Sequence, residues 1–420
     1  MAPLRQLSFR LLLAGELISN FGDGIFQIAL SWYVLRHGGA LLLGTVLAAY
    51  GVPRTALLIV GGHASDRYRP WTVMLAANCA RGLAVTGLAI TATTGTARGL
   101  TLIVIAIVLG AGEGMFVPAS EAIVPALVQK DQLQAGNALI SGTTQLSQLA
   151  GPALGGLLVA LAGPAQGFAI DAATFAVSAL TLVGVRRDRP GSATAPNPGD
   201  PTTAPLTLRD VLGQPIVRLM LITDALVNLG STGMGRVGLP SLAKGPMHLS
   251  ASGYGALSAA MGAGLLLGTI IASSMPSVRR PFLVYTLALL PTVPLTAAVP
   301  FAGGVIATGV VLIFAFLLIA IGNLLLITGL QQWAPPDLLG RLTGVLMLAS
   351  VGMMPLSTLI AGVVIRLTGP RTYFPLDAAT VAVAAIAQLS SSTWRRFEPA
   401  DGPTPRDQES LSIAARQRPT

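Results

Sequence analysis

Four polar residues recur at helical spacing in an apolar stretch near the N-terminus. Glu16, Asn20, Asp23 and Gln27 stand at positions i, i+4, i+7 and i+11, so a helix places them on one face. An ionised side chain at the bilayer centre costs about 2.5 to 3.5 kcal/mol on insertion scales, so it faces a cavity or a partner. A carboxyl group in such a cavity can bind and release a proton, and its charged form attracts cations. The stripe is therefore a candidate site for proton coupling or for substrate.

A second stripe repeats this spacing in the later half of the chain. Asp224 and Asn228 are followed by Ser231, and we expect the two stripes to line opposite walls of one cavity. A further acid, Glu113, lies in another apolar stretch. Glu113 and Asp23 are the leading candidates for the proton-carrying group, and Glu16 and Asp224 come next.

Other polar and aromatic residues of the apolar stretches are additional cavity candidates. Aromatic rings offer stacking surface to amphipathic ligands, and amides offer hydrogen bonds. These candidates are Phe26, Tyr50, Arg54, Phe116, Gln145, Gln148 and Asn323. An alternative stays open for the acids, because Arg54, Arg81 and Arg236 are available as partners in purely structural ion pairs.

The elements that position these residues are membrane helices. Of the 420 residues, 52% are hydrophobic and only 10% are charged, and the mean hydropathy is +0.70. Apolar stretches of about 20 residues, the length that crosses a bilayer, recur along the whole chain. They predict an all-α membrane protein with twelve transmembrane helices, at 10–35, 41–63, 71–94, 99–122, 134–162, 165–185, 215–240, 252–275, 282–302, 304–330, 342–366 and 371–392. The first of these is interpreted as a retained helix rather than a signal peptide.

An internal repeat divides the chain into two related halves. The segment Asp171-Ala-Ala-Thr174 recurs as Asp377-Ala-Ala-Thr380, and the stripe of the first helix aligns with that of the seventh. We therefore expect two pseudo-symmetric six-helix bundles, at 1–186 and 213–393, with a substrate site between them. The Pro-rich segment 187–212 is predicted to be a flexible linker, and 394–420 a disordered tail.

Basic residues predict the orientation in the membrane. Arg67, Arg69, Lys130 and the run of arginines at 186, 187 and 189 fall on the side of both termini, and fewer basic residues fall on the other side. Because lysine and arginine concentrate in cytoplasmic loops, we expect both termini and the linker in the cytoplasm, with the chain in the cell inner membrane. This placement also accounts for the net charge of +9 without a nucleic-acid partner.

Three local patterns resemble the major facilitator superfamily, in particular its drug-exporter branch with macrolide and siderophore exporters. Gly62, Asp66 and Arg67 resemble the start of the superfamily's loop signature between helices 2 and 3, although an ordinary basic loop is the alternative. Gly151, Pro152, Gly155 and Gly156 resemble a signature of antiporters, although generic helix packing also explains the glycines. Phe116-Val-Pro118 through Pro125 resembles the end of helix 4 in that branch.

The resemblance implies the major facilitator fold and export of amphipathic small molecules, such as drugs, antibiotics or a secreted siderophore, by proton antiport with alternating access. Such an efflux pump would use protons as the coupling ion in a lipid bilayer and would need no obligatory protein partner. Resistance to several drugs would be one consequence of this activity.

Other classes find less support. No phosphate-binding Gly-Lys-Ser/Thr loop, no metal-ligand spacing and no nucleophile-base set occurs, so we expect no cofactor, no metal and no enzyme activity. Two rival functions stay open, namely a proton-coupled uptake permease for a polar metabolite and a non-transporting membrane scaffold.

Overall fold

The computed structural model describes residues 3–185, 213–276, 278–334 and 336–398. Within these ranges the chain is helical, with short turns at Pro3–Arg5 and Lys130–Gln132. The first six long helices are α1 (Leu7–His37), α2 (Gly39–Arg67), α3 (Pro70–Thr93), α4 (Gly99–Leu127), α5 (Leu133–Ala162) and α6 (Pro164–Val185). The next six are α7 (Pro215–Lys244), α8 (Ala251–Ser274), α9 (Pro281–Phe301), α10 (Val305–Trp333), α11 (Pro336–Gly352 and Met354–Thr368) and α12 (Pro370–Ser390), followed by the single turn α13 (Ser392–Arg395).

Eleven helices of the described part are long and apolar enough to cross a membrane. The helix α1 is not among them, although its 31 residues are the longest run of helix that the structure describes. Its polar stripe lowers its hydropathy, and the helix is accommodated because α5 and α6 pack against it. The predicted all-helical class is confirmed. Contacts with α5 and α6 hold α1 in the bundle, although its own hydropathy is low.

The two halves pack in the same way. In the first, α1 contacts α5 and α6, α2 contacts α4, and α3 contacts α4 and α6. In the second, α7 contacts α11 and α12, α8 contacts α10, and α9 contacts α10 and α12. Each contact of one half has its counterpart six helices later, so the repeat seen in the sequence is a repeat of bundle packing.

The bundles meet through two symmetric helix pairs, α2 with α11 and α5 with α8. Glycines make both contacts close. A Cβ atom added to Gly156 would lie 2.8 Å from the Cα of Gly255, and one added to Gly362 would lie 3.2 Å from the Cα of Gly44. Small residues allow helix backbones to approach to this extent in membranes.

Three apolar cores show where the bundles separate. One core draws on both halves, from Val34 of α1 to Tyr254 of α8 and Ile365 of α11, at the end of the molecule opposite the two termini. At the end that carries the termini, each bundle has its own core. The halves therefore share one core at the opposite end and have separate cores at the terminal end.

Two predicted boundaries change. Helix α2 continues to Arg67, so Gly62 and Asp66 lie in its last turns rather than in a loop. Trp394, predicted to begin the tail, is fully buried against Phe282 and donates its indole N–H to the carbonyl oxygen of Phe282 at 3.0 Å. The predicted linker at 187–212 and the tail beyond residue 398 lie outside the described residues.

Candidate functional site

The centre of the N-terminal bundle holds a cluster around Glu113 of α4. Tyr50 and Arg54 stand one turn apart on α2, and the Tyr50 hydroxyl donates a hydrogen bond to Glu113. The Arg54 guanidinium forms an ion pair with the same carboxylate, with Nε 3.1 Å from Oε1. Arg54 and Glu113 keep 20% and 24% of their side-chain surface exposed, so the pair borders the space between the bundles.

Arg54 also reaches the other bundle. One of its terminal nitrogens lies 3.8 Å from the sulfur of Met354, at the start of the second segment of α11. At the next residue of α2, the Thr55 hydroxyl donates to the carbonyl oxygen of Val351 at 3.5 Å. The Glu113 cluster is thus joined directly to the interface between the bundles.

A second ion pair joins α1 to α3. Arg81 donates to both carboxylate oxygens of Asp23, at 3.0 and 3.2 Å. Its guanidinium also lies 4.3 Å from the ring centre of Phe175 and 5.6 Å from that of Phe116. Arg81 is 4% exposed whereas Asp23 is 40% exposed, so the arginine is held in the bundle and the acid borders open space.

Glu16 has a neutral partner. Only 7% of this residue is exposed, and Oε1 accepts a hydrogen bond of 2.6 Å from the Ser120 hydroxyl of α4. The predicted stripe of α1 therefore faces several neighbours, because Glu16 contacts α4 and Asp23 contacts α3. Asn20 lies between them, with a buried amide nitrogen that has no hydrogen-bond partner among the described residues.

The second stripe contains no ion pair within the described part of α7. Asp224 accepts a hydrogen bond of 2.6 Å from Ser350 of α11 and one of 3.2 Å from Asn228. The Asn228 amide also donates to the carbonyl oxygen of Asp224 at 3.0 Å. Carboxyl and hydroxyl groups thus tie α7 to α11, and no cation of the described residues lies within 4 Å of Asp224.

The two Asp-Ala-Ala-Thr segments make the same packing contact, one in each bundle. Asp171 of α6 is packed against Gly22 of α1, and Asp377 of α12 is packed against Gly230 of α7. Both acids are buried, at 1% and 0% exposure, and each has one carboxyl oxygen without a hydrogen-bond partner in the described structure. The predicted alignment of the first helix with the seventh is therefore visible as a shared contact, at Gly22 and at Gly230.

The antiporter-like glycines of α5 lie at two interfaces. A Cβ atom at Gly151 would lie 3.1 Å from the Cα of Gly24, and one at Gly155 would lie 2.8 Å from the Cα of Ile25. Gly156 faces α8 instead, and the carbonyl oxygen of Pro152 approaches Gly255 of the same helix. This segment therefore packs α5 onto α1 within its bundle and onto α8 across the interface.

The loop-signature residues begin about two turns after Arg54 on the same helix, α2. Gly62 has open space where a side chain would be, and Arg67 lies with its guanidinium 5.9 Å from the ring centre of Tyr68. The side chain of Asp66 lies outside the described part of the structure.

The remaining candidates do not join the acids in the described structure. Phe26 packs on Phe168 with ring centres 5.6 Å apart, and Phe116 is 9% exposed within the N-terminal core. Three further candidates are exposed, namely Gln145, Gln148 and Asn323, whereas Gln27 is partly buried. Phe116 therefore offers little stacking surface in this conformation.

Sequence reasoning missed two features. The first is the π-helical turn Met234–Gly238 of α7, a form common at functional sites, which contains Arg236. No carboxylate lies within 4 Å of Arg236 in the described structure. The second is Met354, whose apolar side chain gave no sign of a contact with Arg54. No group of acids, histidines and cysteines suited to a metal occurs within the described ranges.

A family model for the Major Facilitator Superfamily matches residues 12–357 of the chain. The chain belongs to the Major Facilitator Superfamily. It is therefore a multi-pass secondary transporter rather than an enzyme, and its two-bundle architecture is the fold of that family. Relatives include the enterobactin exporter EntS of Salmonella typhimurium, 30% identical over 76% of this chain and 72% of the exporter. EntS of Citrobacter koseri is 28% identical over 80% of each chain.

Solved structures agree on the fold. A nucleoside transporter, NupG, superposes with a TM-score of 0.66 at 14% identity, over 91% of this chain and 98% of NupG. A bacterial homologue of the iron transporter ferroportin, in an inward-facing state, gives a TM-score of 0.66 at 16% identity, over 93% and 99% of the two chains. Because these identities are low, the superpositions bear on the fold alone.

Proposed function

We propose that this transporter exports amphipathic small molecules in exchange for protons, by alternating access between its two bundles. The enterobactin exporters among its relatives favour a secreted siderophore as the substrate, and drugs or antibiotics belong to the same chemical range. The candidate site has partly apolar surroundings with few charged groups. Such surroundings suit molecules that are recognised by their shape and apolar surface.

The arrangement of Glu113, Arg54 and Met354 carries this proposal. A proton on Glu113 would remove the negative charge that holds the Arg54 guanidinium at 3.1 Å. Arg54 would then be free to change its contact with Met354 on α11, 3.8 Å away. Proton binding and movement of the bundles would share one side chain, which is the coupling that an antiporter requires.

Asp23 and Arg81 serve the same proposal as a second, more deeply anchored pair. The exposed side of Asp23 would take up a proton, while the buried Arg81 stays in place between α1 and α3. Glu16 and Asp224 hold hydroxyl partners, so a proton there would change a hydrogen bond rather than break an ion pair. We therefore rank Glu113 and Asp23 before Glu16 and Asp224 as proton carriers.

The proposed orientation gives the two ends of the molecule different roles. With both termini in the cytoplasm, the end with separate cores would face the cytoplasm, and the common core would close the opposite side. Substrate would enter from the cytoplasm, as export requires, and closing the terminal end would open the other. The glycine contacts of α2 with α11 and of α5 with α8 would be the surfaces on which the bundles rock.

The test compares Glu113→Gln with Glu121→Gln, an exposed acid on the same helix. Inverted vesicles from a pump-deficient bacterium, energised with an inside-acid proton gradient, are measured for accumulation of labelled enterobactin and of a panel of amphipathic drugs. We expect the wild-type chain and Glu121→Gln to accumulate substrate, and Glu113→Gln to lose at least tenfold in proton-driven rate while retaining substrate binding.

Three results would contradict the proposal. Proton-driven entry of substrate into intact cells would assign uptake instead of export. Equal proton-driven rates for Glu113→Gln and the wild-type chain would remove Glu113 from the coupling step. A chain that transports none of the panel, with protein present at the normal level in the membrane, would favour the scaffold.

A further inference from the structure

A pocket of about 940 Å³ lies at the closed end of the molecule, on the seam between the bundles. Three connections form it, which are the α1–α2 junction, the end of α7 and the α11–α12 junction. The lining residues are Leu35, Gly38, Gly39, Ala40, Leu41, Leu42, Thr45, Ser241, Lys244, Gly245, Pro246, Ile365, Arg366 and Pro370. The pocket is separate from the Glu113 cluster, which lies near the middle of α2 and α4.

Two buried polar atoms at this pocket have no hydrogen-bond partner in the described structure. They are the hydroxyl oxygen of Ser241, a residue only 7% exposed, and the ammonium nitrogen of Lys244. Buried polar groups are nearly always hydrogen-bonded, so unpartnered donors in a pocket point to a missing acceptor. The two residues lie one turn apart on α7, so they can serve one ligand group.

The charge around the pocket has one sign. Arg366 lines it with Lys244, and Arg36 is close enough for its charge to act on Lys244. No acidic side chain is among the described residues of the lining. Lys244 stands over the ring of Trp32, 5.6 Å from its centre, which orients the ammonium group without neutralising it.

The rest of the lining is apolar. The apolar residues Leu35, Leu42 and Ile365 line the pocket together with the cationic groups. Two prolines, Pro246 and Pro370, also line it. Such a pocket suits a molecule with an apolar body and one negatively charged head. A small inorganic anion would leave most of the pocket unfilled.

We propose that this pocket binds amphipathic anions, with Ser241 and Lys244 donating hydrogen bonds to a phosphate or carboxylate head and Arg366 adding charge. The head can belong to an anionic phospholipid or to a soluble amphiphile, because both present the same chemistry. The proposal goes beyond export and does not depend on its direction, since binding is measured without transport.

The experiment titrates the purified full chain with octyl phosphate in neutral detergent, and with octyl glucoside as the uncharged control. A second arm compares nanodiscs of phosphatidylcholine with and without phosphatidylglycerol. Binding is followed by the fluorescence of Trp32, read as the difference from Trp32→Phe, and by the thermal unfolding temperature. The variants are Lys244→Gln and Ser241→Ala, with Arg98→Gln as an exposed basic control outside the lining.

We expect octyl phosphate to bind the wild-type chain and Arg98→Gln alike, and Lys244→Gln to bind at least tenfold more weakly. A response to octyl phosphate alone supports a soluble amphiphile, and a response to phosphatidylglycerol alone supports a lipid head. The proposal is overturned by no saturable response in either arm, or by Lys244→Gln and Ser241→Ala both binding like the wild-type chain. If Lys244→Gln does not fold, Ser241→Ala decides.

Discussion

In the N-terminal bundle, α6 packs Asp171 against Gly22 of α1, and in the C-terminal bundle, α12 packs Asp377 against Gly230 of α7. One residue further along, the halves differ. Asp23 of α1 pairs with the buried Arg81, whereas Ser231 of α7 donates a neutral hydroxyl to Asp377 at 3.1 Å. The two helices thus have one scaffold contact in common and different chemistry beside it.

This difference separates what the fold needs from what coupling needs. The glycine and acid contact sets the distance between the first and last helices of a bundle, so both halves require it. Both ion pairs of the described membrane helices, Asp23 with Arg81 and Glu113 with Arg54, lie in the N-terminal bundle. The proposed proton carriers with charged partners are therefore concentrated in one half, and the other half offers hydroxyl and amide partners.

The largest expected loss of stability comes from removing the charge of Asp23, the more exposed partner in the ion pair with Arg81. Asp23→Asn leaves the guanidinium of Arg81, at 4% exposure, without its counter-charge. We expect a loss of about 3 to 5 kcal/mol of stability, the range for breaking a buried pair, measured as a lower thermal unfolding temperature in detergent. Arg81→Met should cost less, because Asp23 is 40% exposed to solvent.

The double variant Asp23→Asn with Arg81→Met supplies the control. If the cost of Asp23→Asn comes from the stranded charge, the double variant recovers most of it, and Arg98→Met leaves stability unchanged. A double variant that is as unstable as the sum of the single variants would show that packing, not charge, is responsible.

A smaller loss of stability, similar in both halves, is expected from crowding the contact between glycine and aspartate that the two halves share. A Cβ atom at Gly22 would lie 2.6 Å from an oxygen of Asp171, and one at Gly230 would lie 2.4 Å from the matching oxygen of Asp377. We expect Gly22→Ala and Gly230→Ala each to cost about 1 to 3 kcal/mol through overpacking, measured by thermal unfolding. Gly87→Ala, at a glycine with open space around it, is the neutral control. Clearly unequal losses at Gly22 and Gly230 would contradict the shared role.

The neutral hydrogen bond of the C-terminal half should matter less. Ser231→Ala removes the 3.1 Å contact with Asp377, and hydrogen bonds between membrane helices average about 0.6 kcal/mol. The thermal unfolding temperature should therefore fall only slightly, and proton-driven transport should be kept. A loss of transport as large as that of Glu113→Gln would place part of the coupling in the C-terminal bundle.

The smallest effect concerns the segment after α12. Glu398 accepts a hydrogen bond of 3.0 Å from Arg280, and this bond, with the nearby charge of Arg279, lowers the pKa of Glu398 below its ordinary value of 4.5. A lowered pKa stabilises the docked segment above pH 4.5, and this contribution is lost as pH falls through the lower value. The protection factors of amides around Trp394, which correct for the intrinsic pH dependence of hydrogen exchange, should fall below that pH, and should not depend on pH there in Glu398→Gln. Added salt should weaken the contact, because it is exposed.

The sequence predicted the helices well because hydropathy reports the bilayer directly. The predicted spans that start at 71, 165, 282 and 371 begin within one residue of helices in the structure. Those helices start at Pro70, Pro164, Pro281 and Pro370, since proline suits the first turn. Helix ends were less accurate, and α2 continues to Arg67 because polar residues at a membrane surface need not end a helix. Trp394 was assigned to the tail because one aromatic residue in a polar stretch carries no periodic signal.

The sequence predicted which residues belong to the candidate site, but not which of them contact each other. Glu113, Tyr50 and Arg54 were all candidates, yet nothing in their spacing joins α4 to α2. The same holds for Asp23 and Arg81, for which ion pairing was one of two open interpretations. Met354 and the π-helical turn at Arg236 gave no signal, because a cross-bundle contact and an extra residue in a helical turn depend on packing partners.

The sequence alone determined that this chain is a membrane protein of two related helical bundles. Hydrophobicity, loop charge and an internal repeat can all be recognised in the chain without knowing which helices pack together. Only the tertiary structure decided which acid meets which arginine, which end of the molecule is closed, and where buried donors lack partners. Those outcomes depend on how helices distant in the sequence approach each other. Glycines such as Gly156 and Gly255 permit that approach, and only the folded molecule reveals which glycines meet.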